Sequence, residues 1–361
     1  MARIDAFFKL MHDYNASDLH LVAGQQPALR IHGDLERVKY KVLDNDDLRA
    51  MLYEITPEEK IKEFEETGDV DFAYEIPGLG RYRVNYYMHK DGIAAAFREI
   101  PQEIKTIDEL GLPPILKRLA LLPRGLVLVT GPTGSGKSTT LAAIIDEANR
   151  LRKDHIITIE DPIEFVHKSK NCIISHREVG THTRSFSKAL RAALREDPDI
   201  ILVGEMRDLE TMRLALEAAA TGHLVFSTLH TEYATKTINR IIEVFPTDEQ
   251  EQVRQLLADA IRAVISQTLL KRSDRPGRVA AVEILIATHG VRAMIREKKT
   301  QHLLSAIQTG KKYGMQSLDD SIMEHLQAGR ISPQEAYMKC ANKEMFRPFL
   351  TEAPVDFTEV V

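Results

Sequence analysis

The sequence predicts an α/β protein built on a parallel sheet and preceded by a small α+β domain, and three observations carry that expectation. The apolar run Leu126-Val127-Leu128-Val129 breaks into Thr130-Gly131-Pro132-Thr133-Gly134-Ser135-Gly136-Lys137-Ser138, after which Leu141, Ala142, Ile144, Ile145, Ala148 and Leu151 recur at helical spacing. Further short apolar runs follow, separated by helical patterns, which is the signature of a parallel sheet covered on both faces. Ahead of them, apolar and polar residues alternate instead, as in half-buried antiparallel strands.

The glycine-rich segment fits G-x-x-x-x-G-K-[ST] in the context the motif requires, between a strand and a helix. Gly131, Gly134 and Gly136 permit backbone angles that let several N–H groups converge on phosphate oxygens at the positive end of the following helix. Lys137 is then placed to reach the β- and γ-phosphates, and the Ser138 hydroxyl to ligate Mg2+. Thr133, Gly134, Ser135, Gly136, Lys137, Ser138 and Thr139 are therefore the expected binding residues for ATP or GTP with Mg2+.

Three later runs read as strands: His155 to Ile159, Ile200 to Val203 and Leu224 to Thr228. Phe186, Leu190, Ala193 and Leu194 supply one intervening helix, and Asp208 caps another that stops at Gly222. From Thr247 the pattern predicts a long helix through Leu270, opened by a Thr247/Gln250 capping box, and one strand from Val279 to Ile284. Ser332-Pro333-Gln334-Glu335 is a second capping box with proline at the first helical position. Upstream, residues 3–14 read as a short amphipathic helix. Leu19, Leu21, Leu29 and Ile31, then Val70, Phe72 and Tyr74, Tyr82, Val84 and Tyr86, and Ile93, Ala95 and Phe97 alternate as strands, with helical spacing from Asp44 to Glu66. The expected organisation is an N-terminal domain over 1–100, a proline-bearing linker over 101–114, a nucleotide-binding core over 115–290, a helical region over 291–348 and a disordered tail over 349–361.

Composition narrows the function. No run approaches a membrane span, and Arg3, Asp5 and Lys9 interrupt any signal-peptide core, so a cytosolic protein is expected. Two distant cysteines, Cys172 and Cys340, suggest neither zinc nor a disulfide framework. A net charge of −5 and 6% aromatic residues argue against a dedicated nucleic-acid binder.

Hydrolysis needs groups beyond the loop. Glu205 follows the run Ile200 to Val203 and Gly204, where a carboxylate can hold Mg2+ directly or through its water. Glu160-Asp161-Pro162-Ile163-Glu164 puts three carboxylates past the neighbouring strand; Glu164 is expected to activate water, with Glu160 and Asp161 supporting the turn. His230 lies at the carboxyl end of its strand, where ligands bind in open α/β sheets, and is a γ-phosphate sensor on that placement, whereas His223 precedes the strand and reads as structural.

Gly131 to Ser138, Ile159 to Glu164, Val203-Gly204-Glu205 and Thr221 to Thr231 together resemble the Walker A motif, Asp box, Walker B motif and His box of the type II/type IV secretion ATPases. Ser17-Asp18-Leu19-His20-Leu21 and Arg81-Tyr82-Arg83-Val84-Asn85 fit as well, so the resemblance spans about residues 3 to 345. The additional N-terminal domain and four-cysteine zinc insertion usual in assembly and secretion ATPases do not appear, and Val291-Arg292-Ala293-Met294-Ile295-Arg296-Glu297 is similar to the C-terminal signature of pilus retraction motors, with Ala293 where asparagine is usual. The resemblance implies a PAS-like N-terminal domain, a RecA-like core and a homohexamer that hydrolyses ATP to retract type IV pili by acting on an inner-membrane platform protein at the pilus base. It also implies arginines near the phosphates, matching Arg83 and Arg98 of the N-terminal domain and Arg278 of the core. An accessory paralogue and an assembly or secretion ATPase are the near alternatives, and a nucleic-acid translocase the remote one.

Overall fold

A computed structural model describes residues 2–14, 16–31, 34–100 and 103–350. The chain divides into two compact units, Met1–Glu103 and Ile104–Val361.

The first unit runs α1 (Asp5–Asp13), β1 (Asp18–Val22), β2 (Ala28–Ile31), β3 (Asp34–Arg37), α2 (Asn45–Tyr53), α3 (Glu58–Thr67), β4 (Asp69–Ile76), β5 (Gly80–His89) and β6 (Gly92–Ile100). Its strands form one six-stranded antiparallel sheet in the order β3-β2-β1-β6-β5-β4. The alternating residues named above face the helices: Leu19, Leu21, Val84, Tyr86 and Phe97 join Phe8, Leu48, Leu52 and Phe64 in one core. Phe8 anchors it, with ring centroids 4.3 Å from Tyr82 and 5.1 Å from Phe97. The helical stretch from Asp44 to Glu66 is two helices, because Pro57 removes an N–H donor and restricts Thr56 before it. β3 carries no apolar alternation to reveal it, since all four residues are exposed.

The second unit opens with a segment that lends Ile107 and Leu112 to the core. It continues with α4 (Ile115–Ala120), β7 (Gly125–Thr130), α5 (Lys137–Leu151), β8 (His155–Glu160), β9 (Ile173–Glu178), α6 (Phe186–Ala193), β10 (Ile200–Val203), α7 (Leu209–Thr221), β11 (Leu224–Leu229), α8 (Ala234–Glu243), α9 (Gln250–Ala260), β12 (Ile261–Lys271) and β13 (Arg278–Ile286). These strands form a seven-stranded sheet ordered β13-β12-β7-β11-β10-β8-β9. All neighbours are parallel except β12 and β13. Every residue of β7, β10 and β11 is buried, as two-sided coverage demands. One face packs on α6 to α9, the other on α4 and α5.

The long helix expected from Thr247 to Leu270 is not formed as such. α9 ends at Ala260, and the chain turns into β12, where Ile261, Val264 and Ile265 pair beside β7. β-branched residues in a fully buried run favour the strand, and short apolar runs do not distinguish the two by periodicity. The Arg262 guanidinium closes the helix end, donating to the carbonyls of Asp259, Ala260 and Ile261 at 2.8, 3.1 and 3.0 Å. Thr247 caps nothing; α9 has no side-chain cap, and the Gln250 amide donates to the Phe245 carbonyl instead. The Asp208 and Ser332 caps form, accepting from Thr211 N–H and Glu335 N–H, but the Glu335 carboxylate accepts from Lys271 N–H at 2.9 Å rather than closing a capping box on Ser332.

The helical C-terminal region comprises α10 (His289–Arg296), α11 (Leu303–Thr309), α12 (Leu318–Gln327), α13 (Pro333–Lys339) and α14 (Lys343–Phe346). In α10, Val291 and Ile295 are buried and Met294 packs against the same core. The charges on that helix do not all face solvent: Arg292 is half-buried with its Nε unpartnered, while Arg296 pairs with Asp259 at 3.2 Å. Of the segment read as a tail, residues 351–361 lie outside the described residues. No helix among the described residues is long and apolar enough to cross a membrane.

Candidate functional site

The site is assembled at the carboxyl ends of four parallel strands, the crevice where open α/β sheets bind ligands. β7 leads into the glycine loop, β8 into the Glu164 turn, β10 into Glu205 and β11 into His230.

Two glycines are obligatory in the loop. Gly131 has φ 140°, and a Cβ there would lie 2.2 Å from the Gln267 carbonyl oxygen. Gly136 has φ 86° and stands at the N-cap of α5 with no side-chain cap, so the first N–H groups of that 15-residue helix are left without an intrahelical or side-chain partner. An uncapped helix start behind a tight loop is a fitting cradle for an anion. Lys137 is buried and donates to the carbonyls of Gly131 and Pro132 at 2.8 and 3.1 Å. Burial lowers its ammonium pKa, and the charges of Glu205 and Glu164 act in the opposite direction, which places both carboxylates within electrostatic reach of the lysine. Ser138 and Thr139 are half-buried, Thr133 and Gly134 exposed, and Ser135 buried with its hydroxyl unpartnered.

Sequence reasoning missed Gln267, which lies within the misread helix. Its buried amide donates from Nε2 to the Ser135 carbonyl and accepts from the Thr140 hydroxyl, both at 2.7 Å. β12 thereby clasps the loop from both sides. The sequence signal was a glutamine inside an apolar run, and it becomes informative only once that run is read as a strand.

Glu205 is four-fifths buried and bridges two basic groups, Arg207 Nε at 2.8 Å and His230 Nε2 at 2.9 Å. Its backbone approach is fixed by Gly204, whose N–H donates to the Ile159 carbonyl at 2.8 Å and whose carbonyl accepts from the Thr228 hydroxyl at 2.6 Å. Arg207, also absent from the sequence reading, is an exposed cation on the same carboxylate. His223 caps the end of α7 through Nδ1 and the Ala218 carbonyl at 3.1 Å, the structural place expected of it.

Glu164 is exposed between buried Ile163 and Phe165, so its carboxylate projects from a pinned turn. Its N–H donates to Glu160 Oε2 at 3.3 Å, as the supporting role of Glu160 requires, whereas Asp161 is simply exposed. Glu160 is buried beside Gly204, and burial pushes its carboxyl up to about 7, with the Glu164 and Glu178 charges adding in the same sense.

Arg278 opens β13 opposite Lys271, two residues past the Leu269 whose side chain lies beside Gly136 of the glycine loop. It is exposed there, on the same edge of the sheet as the loop. Arg83 and Arg98 belong to the first unit, where they are cross-strand neighbours on the face opposite the helices. Arg83 is exposed, and Arg98 is tethered to Asp18 at 2.8 Å.

Residues 4–338 match the family model described as type II/IV secretion system protein. The chain belongs to that family. It is 53% identical over 331 residues to the type IV pilus retraction ATPase PilT of Pseudomonas aeruginosa, covering 92% of this chain and 96% of that one. It is 50% identical over 318 residues to a twitching motility protein of Neisseria gonorrhoeae, covering 88% of this chain and 85% of that one. A crystal structure of the pilus retraction motor PilT with bound ADP superposes with a TM-score of 0.89 at 44% identity, over 96% of this chain and 99% of the other. The α/β core with its preceding α+β unit is thus a family architecture, and the glycine loop sits in a fold that carries nucleotide in a relative.

Proposed function

We propose that this chain is an ATPase that powers type IV pilus retraction, working as a homohexameric ring at the cytoplasmic side of the inner membrane and acting there on a platform protein of the pilus machine. The observation that carries the reading is the placement of Lys137, Glu164 and Glu205 after the carboxyl ends of β7, β8 and β10 of one parallel sheet, because a phosphate-binding lysine with two separate carboxylates at the same sheet end is equipped for hydrolysis as well as for binding. The uncapped start of α5, the loop glycines and Lys137 receive the phosphates. Mg2+, when bound, neutralises developing phosphoryl charge, and the Ser138 hydroxyl and Glu205 carboxylate are the oxygen ligands suited to it. Glu164 orients and deprotonates the attacking water. His230, held by Glu205, is the γ-phosphate sensor.

Arg278 lies exposed at the same end of the sheet as the loop, and Arg83 and Arg98 are exposed cross-strand neighbours in the first unit, Arg98 already paired with Asp18. Placed across a subunit or domain boundary, such guanidinium forks make turnover depend on closure, which is how hydrolysis becomes motion. The test is pilus number and retraction in cells from which the gene has been cleanly deleted. Hyperpiliated, non-twitching cells are expected; sparse pili would point to assembly, and normal motility would remove the retraction role.

A further inference from the structure

The turn that carries Glu164 is held by Glu160 of the Asp-box stretch together with Glu178, which lies outside the motifs. β8 and β9 end side by side, with Glu160 and Glu178 as paired residues in a parallel register. Both side chains are buried, at 8% and 4% exposure. The two consecutive N–H groups that precede the exposed Glu164 carboxylate go one to each of them. Ile163 N–H donates to Glu178 Oε2 at 3.0 Å, and Glu164 N–H to Glu160 Oε2 at 3.3 Å. Glu178 is itself steadied by the Thr181 hydroxyl on Oε1 at 3.1 Å and by a His182 ring nitrogen that accepts its N–H at 3.0 Å. One layer back, Thr158 and His176 repeat the β8 to β9 tie with a 2.8 Å hydrogen bond.

Two adjacent carboxyl groups in a buried site are costly, and a turn that needed only stability could be closed by neutral groups. Burial pushes the Glu160 carboxyl up to about 7, and its Oε2 still accepts the Glu164 N–H. We propose that Glu160 and Glu178 are positioning residues for hydrolysis, a paired acceptor clamp that fixes the backbone of residues 163 and 164 and thereby aims Glu164 at the water. This rests on the role given to Glu164 in the preceding section.

Steady-state ATPase kinetics on the full chain test it, with Glu160→Leu, Glu178→Leu, Glu160→Gln, Glu178→Gln and Glu164→Gln measured side by side and checked for folding by thermal melting. The leucine variants lose the acceptors and should lower kcat about tenfold to a hundredfold, the scale of a misplaced catalytic group, while the KM for ATP changes little. The glutamine variants keep an amide oxygen that can accept the same N–H groups, and should restore turnover to within about threefold of wild type. Wild-type kcat in both leucine variants beside a slow Glu164→Gln overturns the clamp alone. Glutamine variants as slow as the leucine ones also overturn it, and this arm decides the matter if a leucine variant fails to fold. Wild-type turnover in Glu164→Gln is a different failure, because it removes the role of Glu164 itself.

Discussion

Gln267→Leu removes the clasp between β12 and the glycine loop without opening a large cavity, since the two side chains are similar in volume. Two hydrogen bonds vanish, each 2.7 Å long and buried. At about 1–2 kcal/mol for each buried partner left unsatisfied, the Ser135 carbonyl and the Thr140 hydroxyl, the loop should lose ~2–4 kcal/mol of local stability. A loop that must be re-ordered on binding transfers part of that loss to affinity, and each 1.4 kcal/mol transferred is about tenfold in Kd. ADP titration by calorimetry should therefore show binding weakened by roughly tenfold, with a lowered denaturation midpoint for the second unit. Thr140→Val removes only one of the two bonds and should cost about half as much, and the double variant should cost less than the sum, because the two residues are in contact. Wild-type ADP affinity and stability in Gln267→Leu would refute the clasp.

Alanine at Arg83, Arg98 or Arg278 should lower ATP turnover far more than ATP affinity, because a guanidinium matters most as phosphoryl charge develops; unchanged turnover in all three would remove the composite site. Arg296→Glu breaks a pair with Asp259 that is largely exposed, and such pairs contribute about 0–1 kcal/mol, so melting and ATPase activity should hold while pilus retraction in cells is lost. Normal retraction would make α10 purely structural. The Glu160 carboxyl titrates near 7 in the folded chain against an ordinary value of 4.5, so its contribution to stability is present below 4.5 and is lost as pH rises through about 7. Denaturant midpoints at pH 5 and 8 should fall more for wild type than for Glu160→Gln, and parallel changes would contradict the buried, protonated state.

Elements with a local signature were legible in the sequence. The buried runs at β7, β10 and β11, the Asp208 and Ser332 caps and the glycine loop each follow from residue type and spacing, and the positions of Lys137, Glu164, Glu205 and His230 follow from strand ends. What escaped is decided by neighbours. β12 is a strand because β7 offers an edge to Ile261, Val264 and Ile265, which no helical or alternating pattern within the segment announces. β9 is an edge strand whose Ile173 is 67% exposed and whose later residues are polar, so it shows no apolar run. Gln267 and Glu178 act on backbone groups far away in sequence, Ser135 for the one and Ile163 for the other, and such pairings exist only in the folded chain.

Hydrolysis at Glu164 is the proposed source of pilus retraction. The direct measurement is retraction in cells whose only copy carries Glu164→Gln, a change that leaves the Lys137 cradle intact and removes the water-activating carboxylate. Pili should accumulate without retracting while the purified variant still binds ATP. Normal retraction by that chain, with its ATPase activity abolished in the purified protein, would contradict the account.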